Sequence, residues 1–266
     1  MPAHVTHPTP YPDVNAVLHS LLANVQTILG DRFVGLYLSG SLASGDFDLQ
    51  SSDIDFVVVT TDELPEEMVS ALEEMHARMT ASSLKWAMKL EGSYIAKKAL
   101  RRYNPNDGPF PCVNEGNFYL ARHESHWIVS RRTLRDQGVV VAGPNPQTLI
   151  DPVEAADMRQ AILEFLHEWW SPMLDNPARL LSPGYQAYAV LTMCRALYTL
   201  EKGTIASKPA SARWAQVALG QQWSGLITWA LTRQSDPQSE CMNKTLDFIR
   251  YTLERSQQFE TPIDKL

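Results

Sequence analysis

The sequence has few of the features that mark secreted, membrane-spanning or nucleic-acid-coating proteins. Its 266 residues contain three cysteines, Cys112, Cys194 and Cys241. They are odd in number, far apart and form no C-x-x-C pair, so neither a disulfide framework nor a zinc site is indicated. No run of eighteen apolar residues occurs, so no helix is expected to cross a membrane. The stretch MPAHVTHPTPYPDV has neither a positive start nor an apolar core, and does not read as a signal peptide. Basic residues are outnumbered, 23 Lys and Arg against 30 Asp and Glu. A generic nucleic-acid binder shows the opposite balance, so no nucleic-acid partner is expected. An acidic excess suits a cationic small molecule and is also ordinary for a cytoplasmic protein, the location expected here. No period of twenty to fifty residues repeats, which argues against a solenoid.

What the chain does have is a core, since 44% of its residues are hydrophobic. The most informative stretch is Phe33 to Thr60, FVGLYLSGSLASGDFDLQSSDIDFVVVT. An apolar run, Phe33 to Leu38, stops at Ser39-Gly40-Ser41. A second run, Ile54 to Val59, is β-branched and aromatic, which predicts a strand. Asp53 and Asp55 stand two apart at its start, and strand alternation points both to one side. Like charges held together repel, and a divalent cation would remove that cost. Mg²⁺ takes one or two carboxylates plus phosphate oxygens and water. A glycine and a small hydroxyl residue ahead of the pair would let a triphosphate approach the backbone.

Around this core stretch the periodicity predicts further elements. Residues 1–12 are proline-rich and read as an extended or mobile arm. Val17, Leu18, Leu21, Leu22 and Val25 predict a helix over 13–29, with Asp13 as N-cap and Gly30 as stop. Met68, Leu72, Met75 and Met79 predict an acidic helix over 62–80. Leu84 to Ile95 alternates with period two, which predicts a half-buried strand with Glu91 on its polar face. There Glu91 can supply a third carboxylate beside Asp53 and Asp55. Residues 101–126 read as loop, because Pro105, Gly108, Pro109 and Pro111 exclude a long helix. Arg131, Arg132 and Arg135 read as a solvated helix face, and His123 with His126 lacks a third ligand for zinc. From Val153 helical stripes follow one another: one through Ile162, Phe165, Leu166 and Trp169, then 185–200, then 207–219, then one through Met242, Leu246, Ile249 and Leu253. An α/β region followed by such a run suggests a separate helical bundle.

The pattern G-S, spacer, S-D-I-D-F-V-V-V resembles the signature of the nucleotidyltransferase superfamily. That resemblance implies ATP as co-substrate, with Gly40 and Ser41 at the triphosphate, Ser52 beside the site, and Asp53 and Asp55 on Mg²⁺. The segment L-E-G-S-Y-I is similar to the third-carboxylate strand of aminoglycoside (3'')(9) adenylyltransferases of the streptomycin/spectinomycin type. By this likeness Glu91 is the general base on the acceptor hydroxyl and a further metal ligand. The segment LTMCRALYTLEKGTIASKPASARWA resembles the helical C-terminal domain of the same family, which assigns Lys208 to the nucleotide phosphates. One departure stands out: the family grips its drug with an acidic residue where the register here places Tyr185 or Gln186.

The expectation is therefore an α+β protein, with a nucleotidyltransferase-type mixed sheet and flanking helices over 1–150 and an α-helical bundle over 151–266. It is expected to act as a monomer that moves AMP from ATP to a hydroxyl of a cationic aminoglycoside. A different small-molecule or protein hydroxyl, or a nucleotide-binding regulator without turnover, are the alternatives.

Overall fold

Alternating apolar residues in β1 (Phe33–Leu38) and β2 (Ile54–Thr60) serve two cores at once. The computed structural model describes residues 7–50, 52–232 and 239–260, and its backbone separates into two units, one up to Pro152 and one from Val153. In the first unit, β3 (Leu90–Ala96), β4 (Phe110–Asn114), β5 (Asn117–Ala121) and β6 (Val139–Ala142) complete a six-stranded sheet ordered β5-β4-β3-β2-β1-β6. Only the β2–β3 pairing is parallel; the other four are antiparallel.

One face carries Leu36, Leu38, Ile54, Phe56, Val58 and Tyr94, and packs against two helices. These are α1 (Pro12–Leu29), presenting Val14, Val17, Leu18, Leu21 and Val25, and, beyond the short α2 (Gly40–Ser44), α3 (Glu66–Thr80), presenting Leu72, Met75 and Met79. Each of these side chains, fully buried, contributes about 1.5–3 kcal/mol. The other face carries Tyr37, Val57, Val59 and Ile95. It is covered by Ala99 and Leu100 of α4 (Lys97–Arg101) and Leu134 of α5 (Trp127–Gln137).

Several boundaries differ from those the sequence suggested. Asp13 does not cap α1: Pro12 is its first residue and Tyr11 its N-cap. Proline suits that position because its missing N–H would have no helical partner there. Residues 1–6 of the expected arm lie outside the described residues. From Thr9 onward the arm is tied down, with Thr9 N and Oγ1 donating to Asn15 Oδ1 at 3.0 and 2.8 Å. The acidic helix begins only at Glu66, after Pro65. The strand expected over 84–95 starts at Leu90, behind a 3-10 turn at Ala87–Lys89. Its supposed polar face is not solvated along its length, since Ser93 is fully buried. Glu91 is exposed because it lies at the strand's end.

The stretch read as loop contains the β4–β5 hairpin. Its turn is Glu115-Gly116, both at positive φ (49° and 77°), the backbone twist that two-residue hairpins favour. Arg131 is not on a solvated face. It is 2% exposed and donates to the carbonyls of Ala99, Leu100 and Trp127 at 2.8, 3.1 and 3.2 Å. Burial pushes its guanidinium down to about 10. Arg132 pairs with Asp136, and Arg135 donates to the carbonyls of Gln147 and Ile150.

The second unit is helical: α6 (Ala155–Phe165), α7 (Pro172–Asp175), α8 (Pro183–Lys202), α9 (Lys208–Ala218), α10 (Gln221–Thr232) and α11 (Ser239–Ser256). Between α6 and α7 a π-turn at Leu166–Trp170 inserts a residue into the helical phase, with Ser171 N bonded to Leu166 O. The stripe consequently buries Trp170 rather than Trp169. In α11 the fully buried positions are Thr245, Phe248, Ile249, Thr252 and Ser256. Threonine is tolerated there because Thr245 and Thr252 donate back to the carbonyls of Cys241 and Phe248, each at 2.8 Å.

Candidate active site

The inner positions of β2 and β3 run from apolar to acidic along one sheet face. Val59 and Val57 give way to Asp55, while Ile95 and Ser93 give way to Glu91. The parallel register pairs Asp55 with Glu91 directly. Neighbouring strands lie close to 4.8 Å apart, so these two carboxylates are cross-strand neighbours. Asp55 is half-buried and Glu91 exposed, which leaves their end of the sheet open to solvent.

Gly40 stands against this pair. β1 ends at Leu38, Ser39 N donates to Asp55 O at 3.0 Å, and the chain turns into α2 at Gly40 with φ +57°. A β-carbon at Gly40 would overlap Asp55 Oδ2 and lie 2.5 Å from Asp55 Cγ. Both the left-handed backbone and the contact exclude a side chain. Ser41 follows in the first turn of α2 and is half-buried. Ser52 closes the intervening loop: its Oγ accepts from Asp48 N at 3.0 Å and its N donates to Asp48 O at 2.9 Å.

Asp53 lies just before β2 and is occupied differently. Its Oδ1 accepts from Lys89 Nζ at 3.0 Å. Among the described residues, no three His, Cys, Asp or Glu side chains are gathered into a ready metal-binding group. The donor chemistry still fits Mg²⁺. The paired Asp55 and Glu91 supply hard oxygens, and this ion asks a protein for only one or two carboxylates, taking phosphates and water for the rest. The bare Gly40 backbone lets the Asp55 carboxylate pack directly against it.

Two contributors escaped sequence reasoning. Lys89 falls within the alternating pattern of 84–95 but belongs to the 3-10 turn before β3. Tyr119, 45% exposed on β5, pairs with Cys112 of β4, and its hydroxyl is pushed up by burial first, then by Cys112 and Glu91. It thus extends the Glu91 face across the sheet. The Glu-Gly hairpin turn ahead of N-F-Y-L-A was the available signal.

His123 and His126 form no metal pair. His123 is buried, stacks on Trp127 at 3.5 Å between ring centres, and shares a 2.9 Å hydrogen bond with Ser93. A cavity of about 350 Å³ lies toward the other end of β2 and β3, lined by Thr60, Glu63, Tyr94, Ala96, Phe110 and Leu120 among others. Its lining includes none of Gly40, Ser41, Ser52, Asp53, Asp55, Glu91 or Lys208.

In the second unit, Lys208 is the first residue of α9, behind Ser207, whose Oγ accepts from Ala210 N. Its Nζ sits 4.5 Å from the ring centre of Tyr188. Tyr188 neighbours Tyr185 at 5.4 Å, and Tyr185 neighbours Trp170 at 6.2 Å. Gln186 is buried and donates to Leu180 O at 2.7 Å. Tyr185 thus presents an aromatic group, and the Gln186 amide is committed to the chain's own backbone.

Comparison with known proteins fits this picture. The family described as "Nucleotidyltransferase domain" matches residues 22–104, and the family described as "Aminoglycoside adenylyltransferase, C-terminal domain" matches residues 148–257. An aminoglycoside (3'')(9) adenylyltransferase of Escherichia coli is 26% identical over 258 residues, covering 90% of this chain and 93% of its own. A spectinomycin 9-adenylyltransferase of Staphylococcus aureus is 25% identical over 204 residues, 72% of this chain and 74% of its own. Among solved structures, a spectinomycin adenyltransferase of Enterococcus faecialis, crystallised with ATP and spectinomycin, superposes with a TM-score of 0.70. It is 17% identical and covers 89% of this chain and 98% of its own. With strands β1 to β3 matched by the nucleotidyltransferase family and helices α6 to α11 by the adenylyltransferase C-terminal family, the chain is an enzyme, a nucleotidyltransferase of the aminoglycoside adenylyltransferase-like kind.

Proposed function

We propose that the protein transfers AMP from ATP to a hydroxyl of an aminoglycoside-type antibiotic of the streptomycin/spectinomycin group. The observation that carries this reading is the cross-strand pair Asp55–Glu91 with bare Gly40 beside it, in a chain whose relatives are adenylyltransferases. Asp53, Asp55 and Glu91 would hold Mg²⁺, which when bound neutralises negative charge on the phosphates. Gly40 lets the triphosphate approach the backbone, and Ser41 offers it a hydroxyl donor. Ser52 keeps the 48–52 loop closed beside them. Glu91 takes the proton from the acceptor hydroxyl as its oxygen attacks the α-phosphorus. The bond from that phosphorus to the bridging oxygen breaks, and pyrophosphate leaves with the electron pair. We assign Lys208 to the nucleotide phosphates on the family likeness. The protein acts as a monomer in the cytoplasm, with a cationic acceptor and without nucleic acid. The test is adenylyl transfer from labelled ATP to spectinomycin and streptomycin by wild type and by the double variant Asp53→Asn with Asp55→Asn. Label on either drug from wild type alone supports the reading; equal transfer by both proteins defeats it.

A second reading keeps the chemistry and changes the acceptor. It is motivated by Tyr185 and Gln186, where a carboxylate would grip a cationic drug, and by the commitment of Gln186 to Leu180 O. A panel of unrelated hydroxyl acceptors, read for one added AMP, separates the two.

A further inference from the structure

We propose that Lys89 is a placeholder cation for the carboxylate site, neutralising Asp53 until a divalent ion takes that carboxylate. This rests on the nucleotidyltransferase reading above and deepens it. In the parallel ladder Ile54 faces Leu90 and Asp55 faces Glu91. One residue before the ladder begins, Lys89 Nζ meets Asp53 Oδ1 at 3.0 Å. Four ionic side chains therefore stand in two cross-strand rows. The inner row, Asp55 beside Glu91, sets like charges next to each other, which costs free energy. The outer row, Asp53 beside Lys89, sets opposite charges together. Lys89 lowers the formal charge of the group from three negative to two.

The backbone of Lys89 is held by hydrogen bonds, while its tip is exposed. Its backbone belongs to the 3-10 turn Ala87–Lys89, held by Lys89 N to Trp86 O at 3.0 Å and Ala87 N to Leu84 O at 3.1 Å. Its side chain is 44% exposed and that of Asp53 is 40% exposed. An ion pair this exposed is weak enough for a doubly charged ion to displace. Lys89 thus relieves carboxylate repulsion when no divalent ion is bound, and competes with that ion for Asp53. Asp53, one of the three expected carboxylates, is turned to the ammonium of Lys89.

The experiment titrates Mn²⁺ into the full chain without nucleotide and follows free Mn²⁺ by paramagnetic resonance, for wild type, Lys89→Gln and Lys89→Arg. Lys89→Gln is expected to bind Mn²⁺ about five-fold more tightly, the order of effect expected from removing one exposed opposing charge. Lys89→Arg is expected to match wild type. The gap between Gln and wild type should narrow in 0.5 M salt, because exposed charges are screened. A lysine that only supports the turn would instead give weaker binding in the Gln variant. Equal or weaker Mn²⁺ affinity in Lys89→Gln overturns the proposal and leaves the nucleotidyltransferase reading standing. No Mn²⁺ binding by any of the three proteins overturns the metal reading, and this inference with it.

Discussion

Replacing Gly40 by alanine perturbs the site at its most constrained point. Gly40 sits at φ +57°, where an L-residue costs about 1–2 kcal/mol. The added methyl would also occupy the space of Asp55 Oδ2, so the carboxylate must be displaced. Strain alone lowers the melting temperature by roughly 2–8 °C for a protein of this size. The displaced carboxylate should cost far more in rate, since a misplacement of about 1 Å in a reacting constellation can lose 10²-fold. Gly45→Ala is the matched control. Gly45 lies at φ +76°, and a β-carbon there would meet nothing within 4 Å. It carries the same backbone penalty without touching Asp55. Melting curves and pyrophosphate release from ATP with spectinomycin are measured on both variants. Both should melt lower, and only Gly40→Ala should lose about a hundredfold or more in rate. Full activity in Gly40→Ala, or equal loss in both, would refute the argument that bare backbone at residue 40 positions Asp55.

Acid should destabilise the first unit through His76. Its Nε2 lies 2.7 Å from Tyr94 Oη, and burial lowers its pKa from 6.5 to about 4. As pH falls through 6.5 the unfolded chain takes up this proton first, so the contribution is complete above that pH. It is lost progressively toward pH 4, a change of roughly 3 kcal/mol. Urea unfolding between pH 4 and 7 should show a pH slope shallower by about one proton in His76→Gln; an unchanged slope contradicts the assignment. Arg131→Met should lower stability by about 2–4 kcal/mol, because three carbonyls, two of them in buried hydrogen bonds, lose a donor. The neighbouring Arg132→Met, which removes a partly exposed pair with Asp136, should cost about 1 kcal/mol or less, as read by chemical denaturation.

The parts of this protein legible in the sequence were those with strong local periodicity. The strand from Ile54, the helix stripes of α1 and α8, and the G-S and D-x-D spacing each carry their own signal. The hairpin of β4 and β5 was hidden because Pro109 and Pro111 masked short strands, and its Glu-Gly turn is not the commonest signature. Arg131 misled because a guanidinium on a helix normally faces water, whereas here tertiary packing offers it three carbonyls. Trp169 and Trp170 exchanged roles because a π-turn shifts helical phase by one residue, which no 3.6-residue pattern anticipates. At the site, spacing alone suggested that Asp53 and Asp55 share one side of a strand, whereas Asp53 lies just before β2 and pairs with Lys89. Register with Glu91 required the sheet, and the Lys89 partnership of Asp53 required the turn before β3.

The central claim, that Glu91 beside Asp55 serves transfer of AMP to a drug hydroxyl, is tested most directly by one mass spectrum. Spectinomycin and streptomycin are incubated with ATP, Mg²⁺ and either wild type or Glu91→Gln, a change at an exposed position expected to leave folding intact. The account predicts that wild type adds one AMP to at least one drug, and that Glu91→Gln does so about 10²–10⁴-fold more slowly. Unmodified drugs with wild type, or equal modification by the folded variant, would contradict it.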